Sequence, residues 1–127
     1  MHTLEEIKTA CDLISQTLEI QTDIDNAEGM LAKLNTLSSI TGLNATCIAV
    51  SIKVYNKELY ELTIDSKYAK LKPTEKKVTF NYLLERELEI MKLAERQASA
   101  IDKEVNALRT MISYLKSELN NLSGMKG

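Results

Sequence analysis

The chain has 127 residues, 44% of them hydrophobic and 27% charged, with a formal net charge of −2. That length fits one domain, and the near-neutral balance excludes a global electrostatic pull toward nucleic acid or an anionic membrane. Four Gly, one Pro, one Phe and no Trp leave few turn residues and few large core anchors, a balance that suits long helices.

Thr3 followed by Glu6 is a capping box and opens the first helix. Behind it Leu4, Ile7, Cys11, Ile14 and Leu18 form a heptad-like stripe. The apolar phase then slips to Ile20, Ile24, Ala27, Leu31 and Leu34. Between the two lies Thr22-Asp23-Ile24-Asp25-Asn26, whose side chains compete for backbone groups. Two helical pieces, or one helix bent near Asp25, satisfy this pattern equally. Cys11 and Cys47 both sit in apolar helical patterns, so they read as buried free thiols rather than a disulfide.

Ser38, Ser39, Thr41, Gly42 and Asn44 predict a break, with Asn44 as N-cap of the next helix. That helix carries Ala45, Ile48, Ile52, Tyr55, Leu59 and Leu62, and Ser66, Tyr68 and Ala69 extend it to Lys72 and Pro73. The Val and Ile density from Ile48 to Val54 leaves a short strand as the competing reading. Pro73-Thr74-Glu75 opens the last helix, with Thr74 as cap. From Thr74 to Leu122 there is no Gly or Pro, which predicts a single helix of ~73 Å. Its first half is seamed by Leu84, Leu88, Met91, Ala94 and Ala98, with a one-residue stammer. Residues 123–127 form a frayed, flexible tail.

From Ala98 to Leu122 the apolar residues follow a clean heptad, with Ala98, Val105, Ile112 and Leu119 at a and Ile101, Leu108, Leu115 and Leu122 at d. β-Branched residues at a with Leu at d match a parallel two-stranded coiled coil. In such a pair Glu104 at g would meet Arg109 at e of a partner. The alternative is that the stripe packs on the chain's own helices. The expected fold is all-α: a long-helix hairpin or bundle with a coiled-coil C-terminal helix, oligomeric. Its parts are an N-terminal helical arm (1–41), an antiparallel hairpin (44–122) and the tail, in one domain (1–127). Oligomerisation is assigned to Ile101, Val105, Leu108, Ile112, Leu115, Leu119 and Leu122.

Little in the residues carries chemistry. His2 is the only histidine, which removes His-based triads and the common zinc sites. Glu58, Glu61 and Asp65 share a helix face, as do Glu85, Glu87 and Glu89, and each group reads as solvated surface rather than a metal site. No Gly-rich phosphate loop is present. The expectation is no enzyme activity, no catalytic or metal-ligating residue, no cofactor and no small-molecule substrate. No run approaches the roughly 20 apolar residues of a bilayer span, and the first residues lack a signal-peptide plan. A cytoplasmic protein that does not engage a membrane is expected. The exception to this bland surface is the Pro73 turn. Lys67, Lys70, Lys72, Lys76 and Lys77 surround it, with Tyr68, Phe80 and Tyr82 close by. Cations for phosphates beside ring faces for bases make Lys67, Lys70, Lys72, Lys76, Lys77, Tyr68 and Tyr82 a candidate nucleic-acid site.

The segment from Lys67 to Leu119 reads Lys-Tyr-Ala-Lys-Leu, then Pro-Thr-Glu-Lys-Lys, then a charged helix ending in a Val105-x-x-Leu108-x-x-x-Ile112 register. It resembles small helical proteins of tailed phages, and within that group UvsY-type recombination mediators. The chain departs from their pattern in its negative net charge and in lacking an Arg-rich carboxyl end. The resemblance implies a homo-oligomer in the host cytoplasm that binds single-stranded DNA and helps to load a recombinase or helicase. The reading from the residues alone leaves a second possibility, a protein-binding adaptor or inhibitor of a host factor, or a scaffold component, acting through helical surfaces.

Overall fold

The computed structural model describes residues 1–22 and 26–126, which are mostly helical with no strand among them. The elements are α1 (Leu4–Glu19), α2 (Ala27–Ile64), a 3₁₀ turn (Ser66–Tyr68), α3 (Pro73–Leu83) and α4 (Glu85–Lys126). α1 starts as its sequence dictates: the Thr3 hydroxyl accepts from the Glu6 N–H at 3.2 Å and donates to the Glu6 carboxylate at 3.0 Å. That hydrogen bond, ahead of the nearby amino terminus, holds the Glu6 carboxyl below the usual carboxylate range. The α1 stripe also packs as expected, with Ile7, Cys11 and Ile14 fully buried and Leu4 and Leu18 half-buried. Of the two readings of the N-terminal segment, two helices is the observed one. Residues 23–25, where the bend at Asp25 was expected, lie outside the described residues.

α1 and α2 run antiparallel, because Lys33 near the start of α2 bonds the last carbonyls of α1. α2 and α4 are also antiparallel: Asn44 reaches Ala94 and Lys33 reaches Glu104. α1 lies parallel to α4, through Gln97 to Cys11 and Ser15, and Arg86 to Glu5. The result is a three-helix bundle with α2 and α4 as its long members.

The break expected at Ser38–Asn44 is absent, and α2 passes through it without interruption. The hydroxyls that suggested a loop bond back along the helix instead, Ser39 to the Asn35 carbonyl and Thr41 to the Leu37 carbonyl. Asn44 is not a cap. It is 4% exposed and donates to the Ala94 carbonyl at 2.9 Å, across the α2–α4 interface. The division into arm (1–41) and hairpin (44–122) therefore falls in mid-helix. Ile48–Val54 is helix, not strand, and its buried Ser51 follows Cys47 at the four-residue step of a helical stripe. By length and composition α2, with a mean hydropathy of 1.3 over its most apolar stretch, could cross a membrane, contrary to the expectation that no segment could. Here it is the central helix of the bundle, and it buries Lys33, Asn44 and Ser51.

The remaining differences lie at the other end. α2 stops at Ile64, because Asp65 takes extended backbone and its carboxylate accepts from the Lys67 N–H at 2.9 Å. α3 begins at Pro73 itself, so Thr74 is inside the helix and Lys72 is an N-cap without a side-chain bond. The single helix from Thr74 is divided at Leu84, which leaves helical geometry at φ −104°, ψ 18°. The ladder resumes at once, with Leu88 N–H donating to the Leu84 carbonyl at 3.0 Å. Buried Phe80 and Leu84 are the packing that holds this elbow. At the far end α4 stays helical through Lys126, where a frayed tail was expected. Its first-half seam is Ile90, Ala94, Gln97 and Ile101, at steps of four, three and four. With Gln97 counted as a core position, the buried residues from Ile90 to Ile101 alternate steps of four and three.

Candidate nucleic-acid interface

The end of the molecule where α2 stops carries the basic turn. Residues 67–77 hold five lysines against one acid, Glu75. Three successive turns, Asp65 to Tyr68, Ser66 to Ala69 and Tyr68 to Leu71, fold the chain tightly before Pro73 restarts a helix. This bend splays Lys67, Lys70, Lys72 and Lys77 into solvent, while Lys76 is half-buried. None of the ion pairs among the described residues involves them. Their charge is uncompensated at short range, so they sum to a local positive potential on an otherwise acidic chain.

The aromatics divide into anchors and free faces. Tyr68 meets the buried Phe80 edge to face, with ring centroids 5.5 Å apart, and Lys67 lies 5.6 Å over the Tyr68 ring. Tyr68 is thus half-buried and pins the turn to α3, so it does not offer the open ring face its place in the sequence suggested. Tyr82 does, at 75% exposure. Tyr60, which the sequence reading passed over, is 64% exposed in the last part of α2. Its signal was there, because it falls outside the Tyr55–Leu59–Leu62 stripe. Ile64, Val78 and Leu83 add exposed apolar surface to these elements. Side chains of these types can meet a phosphate backbone through their cations and an unpaired base through an open ring.

The acidic and thiol groups serve the scaffold. Glu58, Glu61 and Asp65 do not converge, since Asp65 caps the 3₁₀ turn and Glu58 turns toward Glu87 of α4. Burial, and then the hydrogen bond with the Glu87 carboxyl, raise the Glu58 carboxyl above its usual range. The described residues contain no group of three or more His, Cys, Asp or Glu able to hold a metal ion. Cys11 and Cys47 are both free and buried. Burial, reinforced by the adjacent Cys47 sulfur, pushes the Cys11 thiol up to about 12, the opposite of an activated nucleophile.

The residues assigned to oligomerisation separate along α4. Ile101 and Leu108 are buried in the chain's own core, while Val105, Ile112 and Leu115 are half-buried against it. Leu119 and Leu122 remain 63% and 55% exposed. Glu104, expected to face a partner's Arg109, lies 3.7 Å from Lys33 of its own chain. Comparison of the chain with protein-family models, curated proteins and solved structures finds no match.

Proposed function

We propose that this protein is a non-enzymatic, self-associating helical accessory protein of the DNA-recombination type, which binds single-stranded DNA at the lysine-rich turn between α2 and α3. The observation that carries this reading is the cluster of solvent-exposed lysines at 67, 70, 72 and 77, outside the ion pairs among the described residues, with the exposed ring of Tyr82 further along α3. Lysines displace counterions from phosphates, and an open ring selects unstacked bases over a duplex. Titration of a labelled oligonucleotide at low and high salt tests it. Binding at low salt should weaken steeply as salt rises, and K70A/K72A/K77A should lower the slope of log affinity against log salt by about two. Y82A should weaken single-strand binding while sparing the salt slope. Absence of binding at low salt, or binding indifferent to salt, defeats the reading.

The exposed Leu119–Leu122 stripe favours a second reading, a protein-binding adaptor or inhibitor. Co-purification from a host lysate separates the two. A stoichiometric protein retained by the wild type and lost in L119K/L122K supports the adaptor; recovery of nucleic acid alone counts against it.

A further inference from the structure

Two thiols face each other across the seam between α1 and α2. The helices run antiparallel, and the clefts along the seam give their register. Leu43 lines one cleft with Ala10 and Leu13, and Val54 lines another with Thr3 and Leu4. α2 thus descends about one residue for each that α1 climbs, which sets Cys47 level with the turn that carries Cys11. Both side chains point inward, each 0% exposed and within the same apolar core. Their sulfurs lie beside each other, and each is a free thiol. The chain has these two cysteines and no other, so each thiol has one partner within the chain. We propose that Cys11 and Cys47 form an oxidisable pair, and that a disulfide between them locks α1 onto α2.

The oxidant is a low-molecular-weight disulfide. One cysteine thiolate attacks it and releases a small thiol, leaving a mixed disulfide on the protein. The second cysteine thiolate then displaces the other small thiol and closes the Cys11–Cys47 bond. Two protons and two electrons leave the protein, and the oxidant becomes two thiols. In the closed bundle neither sulfur meets solvent, and burial favours the protonated form of both. The neighbouring cation, Lys8, is engaged by Asp12 at 2.6 Å. Exchange therefore waits for α1 to lift. α1 is the short member of the bundle, with 16 residues against 38 and 42, so it can open while α2 and α4 stay paired. Lifting it also breaks the bonds from Gln97 of α4 to the Cys11 carbonyl and the Ser15 hydroxyl. The reduced chain can thus bare the face that α2 and α4 turn toward α1, and the oxidised chain cannot. The bond also closes a loop through the α1–α2 connection, which removes entropy from the unfolded chain.

Incubation of the dilute full chain with oxidised glutathione, followed by alkylation and mass spectrometry, tests the proposal. The folded chain should lose two hydrogens and both alkylatable thiols. The rate should rise several-fold in urea well below the unfolding transition, where α1 lifts more often. The oxidised chain should melt about 10 °C above the reduced one, and dithiothreitol should reverse both changes. C11S and C47S should each stop at a mixed disulfide with one glutathione. The mass and melting shifts of the wild type decide the matter whether or not a serine variant folds. Two glutathiones on one chain, a disulfide between chains, thiols that survive mild urea intact, or an oxidised form that melts no higher each overturns the proposal. The pair shares no residue with the lysine-rich turn, so its outcome is independent of the oligonucleotide titration.

Discussion

Lys33 completes a helix to which it does not belong. α1 has no basic residue in its last turn, so its terminal carbonyls and the negative end of its dipole need a cation from elsewhere. Lys33 reaches over from α2, donating to the carbonyls of Thr17 at 2.9 Å and Ile20 at 2.8 Å, with Glu104 at 3.7 Å. The residue is 7% exposed, so water cannot replace it. Lys33→Met keeps the volume and removes the charge, and should cost about 2 kcal/mol. Urea denaturation checks this; an unchanged midpoint would mean that the carbonyls are satisfied without it. Glu58 offers a test of sign. Its folded carboxyl titrates above the unfolded value, so its contribution favours folding below the ordinary Glu range. That contribution is lost as pH rises through the raised value and Glu58 ionises in its partly buried place beside Glu87. Stability should therefore fall from pH 4 toward neutrality by this route. Glu58→Gln should shrink the fall and raise the neutral-pH melting temperature, as thermal melts at the two pH values would register.

At the scale of elements, the buried face of α2 explains which parts of the fold were legible. Met30, Lys33, Leu37, Ile40, Asn44, Cys47 and Ser51 step by three and four without a slip. Three of these seven are polar, so an apolar count sees fragments and places a loop between them. The stripe of α1 and the d positions of α4 were readable because their core residues are apolar. Gln97 was hidden for the same reason as Asn44: its place in the core is secured by bonds to the Cys11 carbonyl at 2.7 Å and the Ser15 hydroxyl at 2.8 Å, on another helix. The Leu84 elbow has no Pro or Gly to announce it, and it follows from packing at Phe80 and Leu84. The lysines of the candidate site were plain in the sequence, but the separation of Tyr68 as anchor from Tyr82 as free face needed the fold. Gly42 tests the continuity of α2 directly. It has no positive φ, and a Cβ built there meets nothing within 4 Å. Gly42→Ala should stabilise the protein by about 0.5–1 kcal/mol. Were Gly42 at a helix end as the sequence suggested, the same change would be destabilising.

For the whole molecule, the bundle and the distal part of α4 should behave as separable parts. Every fully buried residue of α4 precedes Ile112, and residues 116–122 are exposed throughout. Burial of apolar area is what offsets the entropy of ordering the chain, and those last turns bury little of it. A chain ending after Lys116 should thus unfold within about 0.5 kcal/mol of the full chain when both are dilute. The comparison changes at high concentration. If two copies join through Leu119 and Leu122, association stabilises the folded full chain by mass action, and its melting temperature climbs with concentration. The shortened chain has no such reserve and should melt at one temperature across the series. Calorimetry of both chains over a hundredfold concentration range checks this. Parallel behaviour of the two would place the stabilising contacts elsewhere, whereas divergence only in the full chain assigns them to the end of α4.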